Sequence, residues 1–440
     1  MRGVFGLAVA ALAGLIGQAF ADPVIARPGG VDDIIITEDN ILNSTSVRGL
    51  KTNIVLKTNS AQAGALPISV VNNFDSGMYM YLTGKDSSGT PVLLGANGQF
   101  VYPQADGSGV PQEIVANVAL PLNAKGQTTQ ITLPQALTSA RIWLAHGQLK
   151  FYTVRDGNGV SAIVEPSSAN PQDPSAGIQW GFIEFNYDGT TIYANISFVD
   201  FVGIPLGMGL TLASGAQQQV VQGLQGGAVN DICNGMKQQA SADGQIWDRL
   251  CVTTSSGQAL RVLAPNLYES GNPGQFGGYY DDYINQVWNQ YASQDLTINT
   301  QAAAGNVACR TSNNQLTCAG DNRAYPKPTV ADIWGCNSGP FAIIGDDNDV
   351  HRAVVPRLCA AFTRSTLLLP GGNVQPSLGA SSYYTVSPTN HYSRVVHQYE
   401  VNGIGYAFSY DDVNPDGENA SGTVAGDNPT LLKVTVGGWS

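Results

Sequence analysis

Charge is scarce in this 440-residue chain. Asp, Glu, Lys and Arg make up 12% of it, with 33 acids against 21 bases and a formal net charge of −12. No cluster of Lys and Arg occurs, which excludes the phosphate-binding surface that nucleic acid requires. Histidine is rarer still, with four scattered copies, and no cysteine pair has CxxC spacing, so no zinc-type ligand set stands out. Cysteine is absent before Cys233, so the first half must be held by its own core. After the first stretch no apolar run is long enough to cross a bilayer, and there is no internal repeat or low-complexity linker.

What is present is Gly (51), Tyr (18) and a hydrophobic fraction of 43%, enough for a sizeable core and typical of a turn-rich β protein. Residues 1–21 read as a secretory signal: Arg2, an apolar run, then small residues at Ala19 and Ala21. A secreted protein in an oxidising compartment suits the six cysteines, and three disulfides are expected. Of 15 connectivities the sequential one is favoured, with "CRTSNNQLTC" a hairpin closed by Cys309–Cys318. Asn43, Asn195 and Asn419 head glycosylation sequons.

Short strand-like runs fill residues 31–210: "DIIIT", "TNIVLKT", "ISVVNN", "MYMYLTG", "QITLP", "ARIWLA", "LKFYTV", "WGFIEFNY" and "TTIYANISFV". The period then changes to helical in "AVNDICNGM", "GGYYDDYINQVWNQYA" and "DNDVHRAVVPRLCAAF", where Pro356 should kink or break the last. Strand patterns "ALRVLAP", "DLTINT" and "FAIIG" are interspersed, and strand patterning returns from "YYTVSP" to the end. The expected organisation is a first β part over 22–210, a disulfide-bearing α/β insertion over 211–370, and completion of the β-domain by 371–440.

Two acids stand in otherwise oily strands, Glu184 and Asp200, sixteen positions apart. Asp-Gly in "NYDG" predicts a hairpin, with Glu184, Asn186 and Asp188 on one face and Tyr193, Asn195 and Ser197 forming the polar face of the return strand. Such a face suits a sugar platform. A two-residue turn sets Glu184 opposite Tyr193 and leaves Asp200 roughly 23 Å along at 3.3 Å per residue. For the acids to meet, the second strand must bend or leave its ladder. The plainer alternative is that each acid satisfies backbone amides or pairs with arginine. The run Asp346, Asp347, Asp349 lacks calcium-loop spacing and reads as a loop with Asp349 capping a helix.

"IEFNYDGTTIYANISFVDFVGIPLGM" resembles the acidic-cleft motif of the thaumatin-like superfamily, and "HYSRVVHQYEVNGIGYAFSYDDV" its C-terminal element. More closely, "CAAFTRSTLLLP" and "TNHYSRVVH" resemble segments of glycoside hydrolase family 64, the laminaripentaose-producing β-1,3-glucanases, whose Glu–Asp pair has the same sixteen-residue spacing. The likeness covers nearly the whole chain after the signal. It implies a mainly β fold with an α/β insertion: a thaumatin-like sandwich or barrel plus a mixed α/β domain, with a wide groove between them. It also implies a secreted endo-β-1,3-glucanase that cuts long glucan to laminari-oligosaccharides by inversion. Glu184 is then general acid and Asp200 general base, with the apolar neighbours Ile183 and Phe185 expected to favour the acid form of Glu184.

Substrate contacts are expected from Asn186, Asp188, Tyr193, Asn195, Ser197, His391, Tyr392, Asp411 and Asp412. Tyr193 stands where the family commonly has Trp. Arg364 is open between a sugar contact and a structural ion pair. No metal or organic cofactor, nucleic acid or membrane partner is expected, and the chain is read as a monomer. The alternative is a non-catalytic thaumatin-like β-glucan-binding or cell-wall protein.

Overall fold

The computed structural model describes residues 23–47, 64–215, 218–418 and 422–439. The signal segment, the "TNIVLKT" strand and the Asn419 sequon lie outside them.

Strands dominate. One large sheet places Thr423–Asp427, Thr191–Asn195, Gln179–Tyr187, Leu137–His146, Met78–Lys85, Pro91–Leu94 and Phe100–Val101 side by side, with Leu120–Pro121 also on Met78–Lys85. A second has the order Gln219–Val221, Leu206–Leu212, Pro429–Val436, Leu66–Asn72, Gln127–Leu133. Alternation explains why these segments are strands: Ile183 and Phe185 are fully buried on the core side while Phe182 and Glu184 are half-buried on the other. The C-terminal strands join both sheets, Thr423–Asp427 beside Thr191–Asn195 and Pro429–Val436 between Leu206–Leu212 and Leu66–Asn72. Both large sheets thus combine strands from before residue 213 with strands from after residue 422.

The middle segment contributes helices Ala228–Asp243, Asp281–Gln290 and Asp349–Thr363, and a sheet built around Leu296–Asn299, Asn306–Ser312 and Gln315–Cys318. All three disulfides are sequential, Cys233–Cys251, Cys309–Cys318 and Cys336–Cys359.

Five local expectations fail. "DIIIT" is not a strand, because the Asn40 side chain takes the backbone: its Nδ2 donates to Ile35 O and its Oδ1 accepts from Thr37 N. "FAIIG" pairs with nothing in a ladder; Arg352 Nη2 donates to the carbonyls of Ile344 and Gly345 instead. Pro356 does not break its helix, which runs from Asp349 to Thr363, and the cap is Asn348, whose Oδ1 accepts from His351 N, not Asp349. In the tail, "YYTVSP" forms no strand and His391–Tyr399 is a helix, begun by Asn390 Oδ1 accepting from Ser393 N.

Candidate active site

The hairpin after Glu184 is wider than a two-residue turn. Tyr187 faces Ile192, so Glu184 lies opposite Asn195 and Tyr193 opposite Asn186. The turn consumes Asp188, whose Oδ1 accepts from Thr190 N and Thr191 N. Asn186 is buried, and its Oδ1 accepts from Ser139 N at 2.7 Å, where the neighbouring strand bulges. Two residues expected to meet sugar thus stabilise backbone instead.

In-register partners share a face of the sheet, and one row is polar over five adjacent strands, Thr83, Arg141, Glu184, Asn195 and Thr423, before it continues into Leu93 and Val101. Arg141 dominates this row. Its Nε and Nη2 donate to Glu184 Oε1 at 3.2 and 3.1 Å, and Nη1 donates to Glu165 Oε2 at 2.9 Å. Its guanidinium lies 4.1 Å from the Phe182 ring centroid. Burial opposes its charge, but Glu165, Glu184 and Asp200 outweigh burial and raise its pKa above the ordinary arginine value. Glu165, whose side chain is fully buried, also accepts from Thr83 Oγ1 at 2.7 Å. Ile183 and Phe185, as strand neighbours, point into the core and do not surround the Glu184 carboxyl. Its environment is Arg141.

The bend that the two acids require is present. The return strand ends at Asn195; Ser197 bridges to Tyr406, and Phe198 N donates to Tyr406 O. The chain then joins a different sheet, where Phe201 faces Leu263. It passes back against the end of the Glu184 strand at Gly203, where a Cβ would stand 1.9 Å from Trp180 O. Asp200 sits within this excursion.

The result is an open groove of about 1070 Å³. Glu184, Asp200, Tyr193, Asn195 and Ser197 line it from the β part, and Asn266, Gln301, Asn337 and Arg357 from the middle segment. Tyr406, Tyr410 and Asp412 line it from the C-terminal part. Asn195 Oδ1 is buried with no hydrogen-bond partner among the described residues.

Three expected contacts lie elsewhere. His391 is buried against the Trp247 ring, 5.3 Å between centroids, and accepts from Arg394 Nε; burial and Arg394 push its pKa down to about 4. Tyr392 is fully buried and donates to Phe198 O at 2.6 Å. Asp411 is buried in an ion pair with Arg364 Nη2 at 3.0 Å and His397 Nε2 at 2.9 Å, so Arg364 is a structural partner. Arg141 and Glu165 were missed. "ARIWLA" reads as an apolar strand, yet a lone guanidinium inside such a run demands a buried carboxylate, and that was the available signal.

A mainly β scaffold whose open groove gathers carboxylates, amides and tyrosines is the layout of a carbohydrate-active protein. The family profile described as beta-1,3-glucanase, glycoside hydrolase family 64, matches residues 64–436, and the chain belongs to that family. It is 27% identical over 365 residues to a glucan endo-1,3-beta-glucosidase of Cellulosimicrobium cellulans, and 26% to one of Arthrobacter sp. strain YCWD3. Each alignment takes in 80% of this chain but 62% of the relative, so the chain spans under two thirds of their length. Among solved structures, a laminaripentaose-producing beta-1,3-glucanase in complex with laminaritetraose superposes with a TM-score of 0.72 at 27% identity, covering 85% of this chain and 98% of that one. A GH64 domain from Clostridium beijerinckii shares the fold, with a TM-score of 0.62 at 21% identity over 85% and 98% of the two chains.

Proposed function

We infer that this chain is a secreted endo-β-1,3-glucanase that cuts long β-1,3-glucan to laminari-oligosaccharides, laminaripentaose foremost. The observation that carries this reading is the presence of Glu184 and Asp200 in one groove, both within the field of Arg141. Glu184 is assigned as the general acid and Asp200 as the general base. In an inverting hydrolase the acid protonates the leaving oxygen while the base takes a proton from water on the opposite face of the ring. Both Arg141 contacts fall on Glu184 Oε1, so Oε2 is the oxygen assigned to proton delivery. Tyr193 offers a ring for stacking, and the unpartnered Asn195 Oδ1 beside Glu184 suits a sugar hydroxyl donor.

The same reading takes the β part as thaumatin-like, over 22–210 and 371–440, with 211–370 as the α/β insertion that forms the facing wall. The three disulfides suit secretion. Arg141 seated on Glu184 favours a second reading, a groove that binds glucan without turnover, because a carboxylate held by a buried guanidinium is suited to accept hydrogen bonds.

Incubation with laminarin or curdlan separates the two. The enzyme releases oligosaccharide, and the fresh product seen by proton NMR carries the α configuration expected of inversion. Glu184→Gln and Asp200→Asn each lower kcat by about 10² to 10⁴, with retention of the fold checked by circular dichroism. Glucan binding without any release of oligosaccharide decides for the second reading.

A further inference from the structure

The family match begins at residue 64, yet one wall of the groove comes from before it. Glu38, Asp39, Asn43, Ser46 and Val47 all line the same cavity as Glu184 and Asp200.

This arm is fixed on both sides of the groove. Val24–Ile25 pairs in parallel with Cys251–Thr253 of the middle segment, and Ile41–Leu42 pairs with Ser161–Val164 of the β part. Leu42 is fully buried. Arg141 Nη1 donates to Asp39 O at 3.2 Å, so the residue that holds Glu184 also holds the arm. Lys85 Nζ donates to the carbonyls of Ser44 and Ser46, and Ser139 Oγ to Ser46 O. These contacts consume backbone carbonyls. The side chains of Glu38, Asp39 and Val47 are left exposed to the groove, Val47 at 83%. A rigid backbone carrying exposed acceptors and an apolar side chain beside a substrate groove is the arrangement that costs least entropy on binding.

We propose that the arm of residues 38–47 is a specificity-determining wall that binds the glucan chain along the side of the groove that it shares with Arg141. Its carboxylates accept hydrogen bonds from sugar hydroxyls, and Val47 covers the apolar face of a glucose ring. The proposal rests on the glucanase reading above. It predicts that substrates long enough to reach the arm gain affinity from it, whereas short ones do not.

The test compares laminarihexaose and laminaritriose by calorimetry on Glu184→Gln protein, with and without Glu38→Ala, Asp39→Ala and Val47→Ala combined. All three positions lie on the exposed rim, so folding is checked simply by an unchanged melting temperature. The expected result is hexaose binding weakened by about fivefold or more, with triose binding moved less than about twofold, since only contacts made by the longer chain are lost. Equal affinities with and without the arm substitutions, in a protein that binds hexaose, overturn the arm alone. If the unsubstituted chain neither binds nor cleaves glucan, the glucanase reading falls and takes the arm with it.

Discussion

Arg141 and Glu184 face one another directly across two antiparallel strands, and two nitrogens of the guanidinium converge on one carboxyl oxygen. The third nitrogen donates to the buried Glu165 and to the carbonyl of Asp39. A candidate catalytic carboxyl is therefore oriented by a cation whose own position is set by a second, fully buried carboxylate. Catalytic groups are held by partners of this kind when their geometry must not drift.

Arg141→Ala should be doubly damaging. It removes the cation that pairs with the buried Glu165 carboxylate, which costs about 3–5 kcal/mol. It also frees Glu184 to rotate. Replacing both partners, Arg141→Met with Glu165→Met, removes that carboxylate as well, and its melting temperature should recover toward that of the parent. Glucan hydrolysis should stay low in both, because Glu184 remains unheld. If the double variant regains activity along with stability, Arg141 serves the fold alone.

Tyr193 stands in the groove opposite Asn186 and half-buried. Its ring is an aromatic surface that the hairpin offers to the groove. Tyr193→Ala should raise KM for laminarin by about tenfold, an aromatic stacking loss of about 1–1.5 kcal/mol, while kcat changes little. Tyr193→Trp should bind at least as tightly as the parent. Steady-state kinetics on laminarin decide; a fall in kcat at constant KM would place the ring at the reacting bond rather than at a flanking sugar.

Legibility followed burial. Half-buried strands such as Gln179–Tyr187 announce themselves by alternation, and the helix Asp281–Gln290 by its period, because one face meets the core and the other meets water. The partner that a polar side chain will take is not written in that pattern. Asn186 and Asp188 have the same polarity and parity as Glu184, but a bulge at Ser139 and a wide turn claim them. Asp411 looked like a cleft acid at a strand end, yet Arg364 and His397, distant in sequence, enclose it. Bringing Glu184 and Asp200 to one groove needed a departure from the ladder that no local period encodes. The helix His391–Tyr399 was readable from Asn390 and the spacing of Tyr392, Val395, Val396 and Tyr399; its β-branched residues and the strands beyond it concealed it.

The three disulfides should not be equivalent. Cys309 and Cys318 are nine residues apart and already face each other in a hairpin ladder. Cys336–Cys359 spans 23 residues and ties the end of one helix to another. By loop length alone the longer closure is worth about 0.8 kcal/mol more, and the hairpin hydrogen bonds make the shorter one still more redundant. Paired Cys→Ala substitutions followed by thermal melts should therefore rank Cys309–Cys318 as the least costly to remove.

The loop that carries Tyr406 and Asp412 to the groove is pinned by charge, and that pinning should depend on pH. His397 Nδ1 lies 2.8 Å from Glu400 Oε2, and Nε2 lies 2.9 Å from Asp411 Oδ2. Asp411 also accepts from Ala407 N and pairs with Arg364, and the Tyr384 ring lies over the imidazole at 5.9 Å. Burial works against a charged His397, but Asp411 and Glu400 push its pKa up to about 10. A raised value means that this stabilisation is complete below the unfolded histidine pKa, about 6.5, and is lost as pH rises through about 10. Asp411 has the opposite sign: burial raises its pKa, but His397 and Arg364 win and hold it below the usual carboxylate range. Its contribution is present above that range and lost as pH falls through its folded value. Glu400 is raised by burial against the pull of His397, so its ionised form offsets part of the gain. His397→Gln should lower the melting temperature at pH 6, and the gap from the parent should shrink as pH rises through about 10, where the parent loses the same charge. Hydrolysis should weaken along with it at neutral pH, because the backbone of Tyr406 that bridges Ser197 loses its anchor. A gap of the same size at pH 6 and pH 10.5 would mean that His397 acts by shape and not by charge.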